Sequence, residues 1–153
     1  MKTRYYDSCV FGNALNCTHQ SHLGCVNVTT VSLINWHLAC CTELTAAELP
    51  SVNEFLSALI VACASNGISF LEVSLQEAKQ AAKKNRASQK AFRQLGFDGH
   101  DWNHLMAAVH INAVEILTTD NDFIDPANKA SGGAGRRVSD SIRENFGITV
   151  TKI

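Results

Sequence analysis

Val114-Glu115-Ile116-Leu117-Thr118-Thr119 is a nearly unbroken apolar and β-branched run that stops at Asp120-Asn121-Asp122. A run of this kind, without strict alternation, marks a parallel strand covered on both faces. Ahead of it, the spacing of Leu105, Met106, Val109 and Ala113 predicts a helix from His100 to about Asn112. Further back, Ser74-Leu75-Gln76-Glu77 is a capping box, and the helix it opens is predicted to run to Gly96. Ile68 to Val73 reads as a short strand. Ser51-Val52-Asn53-Glu54 is another capping box, opening an apolar helix that stops at Asn66-Gly67. Beyond Asp122, a loop over 125–135 leads to a helix over 136–146, ended by Gly147, and a last strand over 148–153.

The N-terminal third continues the same alternation. Residues 4–11 are β-rich and end at Gly12-Asn13, and 36–42 read as a second strand. Val26, Val28 and Val31 favour a strand between them. Two neighbouring parallel strands need a crossover of about a dozen residues, however, so a helix is expected over 19–34. Five strands alternating with helices predict a three-layer α/β/α sandwich on a parallel sheet, with residues 1–153 forming one domain.

Composition agrees. At 153 residues, 46% apolar and 18% charged, the chain has the material for one hydrophobic core and excludes disorder. A net charge of −1 excludes nucleic-acid binding by net charge, so any such partner needs a local basic patch. No apolar run reaches the roughly 20 residues of a membrane span. Met1 to Tyr5 leads into a strand rather than a leader, and a cytoplasmic protein with no membrane partner is expected. Of six cysteines, Cys40 and Cys41 are adjacent in a strand and should point to opposite faces as small buried groups. Cys17, His19, His22 and Cys25 have zinc-ligand chemistry. All four crowd one turn, whereas structural zinc sites usually draw two ligand pairs from separate elements.

In an open parallel sheet the functional crevice lies beyond the carboxyl ends of the strands. Asp7 stands at the end of the first strand and Glu48 a few residues past the second. Asp120 and Asp122 close the fourth, and Asp101 opens the helix leading into it. Each alone could be a solvated cap. Convergent carboxylates repel one another unless a cation is present, and oxygen ligands at that density suit Mg²⁺ or Mn²⁺.

Four segments carry a family likeness. Tyr6-Asp7-Ser8-Cys9-Val10-Phe11, Cys41-Thr42-Glu43-Leu44-Thr45-Ala46-Ala47-Glu48-Leu49, Asp101-Trp102-Asn103-His104-Leu105-Met106-Ala107-Ala108 and Leu117-Thr118-Thr119-Asp120-Asn121-Asp122-Phe123 stand in family order. Together they resemble the PIN-domain ribonucleases, in particular the VapC-like toxins of toxin–antitoxin pairs. The resemblance implies a PIN-like fold and an endoribonuclease using Mg²⁺ or Mn²⁺. Asp7, Glu48, Asp101 and Asp120 would be the catalytic metal-binding acids, Asp122 a further ligand, and Ser8 and Thr119 auxiliary hydrogen-bond donors. It also implies an RNA substrate and an antitoxin partner. The alternative is a PIN-like nucleic-acid-binding or assembly module with weak or no hydrolysis.

Substrate binding has its own candidates. Lys79, Lys83, Arg86, Lys90 and Arg93 step by four and three, one face of a continuous helix, and Glu77 is the only acid between Ser74 and Gln94. A charge stripe is often only a solvated face; this one, unpaired, could draw a polyanion toward an acidic pocket. Arg136 and Arg137, after the Gly-rich loop, form a second candidate at a helix start. A homodimer is expected, with the helices over 50–66 and 75–95 as the surfaces for dimer or antitoxin contacts.

Overall fold

The structure, a computed structural model, describes residues 2–10, 36–48, 52–65, 67–127 and 135–153. Five strands, β1 (Lys2–Tyr6), β2 (Trp36–Cys41), β3 (Ser69–Val73), β4 (Glu115–Thr118) and β5 (Thr149–Lys152), form one sheet in the order β3-β2-β1-β4-β5. Every neighbouring pair is parallel, with Tyr5 facing Ala39 on one side and Ile116 on the other. The helices are α1 (Thr42–Glu48), α2 (Val52–Ser65), α3 (Leu75–Lys84), α4 (Arg86–Gln94), α5 (His100–His110) and α6 (Val138–Phe146).

The central strands bury alternate residues on opposite faces, as the pleat dictates. Tyr5, Ala39, Cys41 and Ile116 join Ala78 of α3, Phe92 of α4, Trp102 and Leu105 of α5, and Ile142 of α6. Tyr6, Leu38, Cys40 and Leu117 instead pack with Val10 and with Leu56 and Cys63 of α2. Helices therefore cover both sides of the sheet, and the expected α/β/α sandwich is present. Cys40 and Cys41 lie in different halves of the core, both fully buried and both free thiols.

Several expected boundaries move. β1 ends at Tyr6 rather than residue 11, because Asp7 draws the next amides back on itself. Its carboxylate accepts Ser8 N–H at 2.8 Å and its carbonyl accepts Val10 N–H at 3.1 Å, opening a helical turn. Thr42 likewise begins α1 instead of extending β2. The helix expected from residue 75 to Gly96 is two helices broken at Asn85. There Asn85 Nδ2 donates to Ala81 O at 2.9 Å and the backbone opens to φ −112°, ψ 25°, the side-chain competition that makes Asn a poor helix-interior residue. The Ser74–Glu77 capping box is present with both reciprocal bonds. α5 stops at His110 because Asn112 turns left-handed at φ 54°. Asn112 and Ala113 N–H then bond Val109 and Ala108 carbonyls, a Schellman termination. α6 starts at Val138, with Arg137 at its N-cap and Arg136 outside it. The expected helix over 19–34, the Cys17/His19/His22/Cys25 cluster, the turn at Gly12-Asn13, the capping Ser51 and most of the Gly-rich loop lie outside the described residues.

Candidate functional site

The strand order reverses at β1, with β2 and β3 on one side and β4 and β5 on the other. Ligand crevices of open parallel sheets form at such a point, past the carboxyl ends. Asp7 is the first residue after β1, and its N–H is tied to Leu117 O at 3.0 Å, so the two central strand ends are locked together. The Asp7 side chain is buried and surrounded by donors. Besides the Ser8 N–H on Oδ1, its Oδ2 accepts from the Thr118 hydroxyl at 2.8 Å and the Cys9 thiol at 2.9 Å. Burial, then the Asp7 charge, pushes the Cys9 thiol up, so Cys9 remains a donor.

The other acids gather around this one. Asp120 N–H donates to Thr118 Oγ1 at 2.9 Å, and Asp120 Oδ1 accepts Asp122 N–H at 2.9 Å, folding the segment after β4 over the sheet edge. Asp101, in the first turn of α5, has its carboxyl pushed up to about 7, chiefly by burial and then by the charges of Asp7, Asp120 and Asp122, with His104 opposing. Asp122 is raised by burial and by Asp120. Couplings of this kind require proximity, so Asp7, Asp101, Asp120 and Asp122 share one pole of the sheet. Glu48 closes α1, and its side chain lies outside the described residues. Among the described residues no three His, Cys, Asp or Glu side chains come close enough to hold a metal ion. The chemistry of Asp7, Asp101 and Asp120 fits a hard divalent cation: oxygen donors only, with a repulsion among them that a cation would offset.

The site also contains residues that sequence reasoning did not assign. Thr118 supplies the hydroxyl bound to Asp7, whereas Thr119 contributes a backbone N–H to Cys9 Sγ at 3.2 Å. Cys9 reaches Asp7 because the chain turns helical, which the expected strand over 4–11 hid. His104 is buried behind Asp7, its Nε2 at 3.6 Å from Asp7 Oδ1 and its Nδ1 at 2.7 Å from the Tyr5 hydroxyl. The three-residue spacing from Asp101 to His104 on one helix was the available signal.

The basic residues are less unified than their spacing suggested. The break at Asn85 leaves Lys79 and Lys83 on α3 and Arg86, Lys90 and Arg93 on α4, so the five do not follow one helix face. Lys79 and Lys83 line a groove with Gln76, Gln80 and Glu43 of α1, the helix that ends in Glu48. Arg93 is paired with Asp98 at 2.6 Å, so the stripe is not wholly unpaired. Arg136 pairs with Glu144, and Arg137 is exposed at the α6 N-cap. No helix among the described residues is long and apolar enough to cross a membrane.

No family model matches the chain, and no curated protein matches it. Among solved structures, the fold is similar to a chain in the crystal structure of VapBC2 from Rickettsia felis bound to a DNA fragment from their promoter, with a TM-score of 0.57, 11% sequence identity and 98% of each chain covered. At that identity the likeness is one of fold: a five-stranded parallel sheet with helices on both sides, matching a PIN-like neighbour.

Proposed function

We propose that the protein is an endoribonuclease that hydrolyses RNA phosphodiester bonds with Mg²⁺ or Mn²⁺ and serves as the toxin of a toxin–antitoxin pair in the cytoplasm. The observation that carries this reading is the gathering of acids where the strand order reverses: Thr118 Oγ1 ties Asp7 to the Asp120 backbone, and burial with the charges of Asp7, Asp120 and Asp122 pushes the Asp101 carboxyl up to about 7. Asp7, Glu48, Asp101 and Asp120 would hold the metal, with Asp122 at its margin. When bound, the metal supplies a hydroxide from water at neutral pH and offsets the charge that builds on the phosphate.

The remaining work belongs to the chain. Thr118, Cys9 and Ser8 hold the Asp7 carboxylate in one orientation, so it is preorganised. Asp101, its carboxyl pushed up to about 7 by burial and by its acidic neighbours, would serve as a ligand in its deprotonated form, the form that a cation beside it would favour. Lys79 and Lys83 draw the RNA backbone along the groove beside α1. An antitoxin segment silences the enzyme by covering this edge, as fits a fold neighbour named for a toxin–antitoxin pair. The chain works as a homodimer through the α2 and α3–α4 surfaces.

A second reading, a PIN-like module that binds nucleic acid without cutting it, draws on one observation: the donors already gathered on both oxygens of Asp7. One experiment separates the two. Purified protein is incubated with a mixed RNA pool with and without Mg²⁺ or Mn²⁺, and the new ends are mapped. Metal-dependent 5′-phosphate ends that vanish in Asp7→Asn and Asp101→Asn support hydrolysis; retention of RNA without cleavage supports the module.

A further inference from the structure

We infer that Tyr5 and His104 form a buried relay that fixes the imidazole proton on Nε2 and aims that N–H at Asp7, which makes both of them positioning residues for the acidic site. The inference rests on the reading of that site as the reactive centre. Tyr5 and Asp7 are two residues apart at the end of β1, and α5 lays His104 between them. Tyr5 is 0% exposed, His104 1% and Asp7 3%, so water does not compete for these contacts. The phenol oxygen is 2.7 Å from Nδ1, with the two rings edge to face at 64°. Nε2 is 3.6 Å from Asp7 Oδ1, beyond a full hydrogen bond but within strong electrostatic reach in a buried setting.

Both ends of the imidazole dictate the same tautomer. The Tyr5 phenol is fully buried and a phenol ionises only near pH 10, about three units above neutrality, so its O–H keeps its proton. The phenol O–H, with Nδ1 its buried partner at 2.7 Å, is donated to that nitrogen. At the other end, a nitrogen lone pair facing a carboxylate oxygen would be repelled, whereas an N–H is attracted. The ring orientation is thereby set by a partner remote from the site, as in other arrays in which the second nitrogen decides which atom the first presents. A plain core pair would fill the same space and leave Asp7 indifferent to the Tyr5 hydroxyl.

Tyr5→Phe removes that hydroxyl and keeps the ring. Long-range ¹H–¹⁵N spectra of His104 should show the Nε2–H form in the wild type and a shift toward Nδ1–H in Tyr5→Phe. Titration with Mn²⁺ alone should show affinity about 10-fold weaker in Tyr5→Phe, the size of effect that removing an outer partner has at metal sites. His104→Gln, which can present an amide N–H, should retain more Mn²⁺ affinity than His104→Leu. An Nδ1–H wild type overturns the inference, as does a Tyr5→Phe protein with unchanged tautomer and Mn²⁺ affinity. A wild-type protein with the expected tautomer but no Mn²⁺ affinity overturns the positioning role through the functional reading, and the spectrum distinguishes that failure from the other.

Discussion

Thr118 and Asp7 join the two central strands at the site: Thr118 Oγ1 donates to Asp7 Oδ2 at 2.8 Å while accepting Asp120 N–H at 2.9 Å. One hydroxyl therefore sets two of the proposed metal-binding acids relative to each other. Thr118→Val keeps the volume and strands both partners. Leaving such buried groups unsatisfied costs about 1–3 kcal/mol, so urea unfolding should show a loss in that range. RNA cleavage should fall further than stability alone explains, even where the variant is fully folded. Cleavage equal to wild type under folded conditions would remove Thr118 from the mechanism.

The crowding of carboxylates gives a pH signature. Asp101 titrates at about 7 in the folded, cation-free protein, against 3.8 for the ordinary group. Between those values the folded state holds a proton that the unfolded state has released, so stability declines as pH rises from about 4 to about 7 and changes little beyond. Asp101→Asn should flatten this part of the profile in thermal melts. Mg²⁺ should raise the wild-type melting temperature more at pH 8 than at pH 5, because at pH 5 the metal must displace a proton. A profile that Asp101→Asn leaves unchanged would contradict the coupling.

What the sequence made legible follows from periodicity, and what it hid follows from contacts between distant residues. The run from Val114 to Thr119 located β4, and the adjacent Cys40 and Cys41 do fall in opposite halves of the core. The rule about strand carboxyl ends singles out Asp7, Glu48, Asp120 and Asp122, and Asp101 enters as the residue that opens the helix leading into the fourth strand. It could not choose between Thr118 and Thr119, since successive side chains take opposite faces of the sheet and that choice depends on which face Asp7 occupies. Nor could it show Tyr5 meeting His104, a pair separated by 99 positions. The break at Asn85 was missed because one polar residue in a charged helix looks ordinary until its side chain bonds the backbone carbonyl of Ala81.

The aromatic cluster beneath α4 governs stability rather than chemistry. Phe92 is buried against Phe97, Trp102 and Phe146, with ring centroids 5.8, 5.4 and 6.0 Å away. Phe92→Ala should cost about 3–5 kcal/mol, since the surrounding rings close the cavity only in part. Val61 on α2 is 63% exposed, and Val61→Ala should stay within about 0.5 kcal/mol of wild type in the same urea titration. Equal effects at the two positions would mean that Phe92 is not packed among the rings as described.

The groove beside α1 makes the last prediction quantitative. Lys79 and Lys83 stand one helical turn apart and line it together, whereas Arg93 spends its charge on Asp98. A cation already paired with a carboxylate gains less from a phosphate, because binding must give up the existing contact. For single-stranded RNA each neutralised phosphate contributes about 0.7 to the slope of log affinity against log salt, so Lys79→Gln with Lys83→Gln should lower the slope by about 1.4. Arg93→Gln should lower it by less. Binding is best measured in Ca²⁺, with the Asp7→Asn background as a guard against cleavage, so that the slope reports contact rather than turnover. A slope unchanged by the double lysine variant would place the RNA elsewhere, and Arg137, exposed at the α6 N-cap, would be the next position to neutralise.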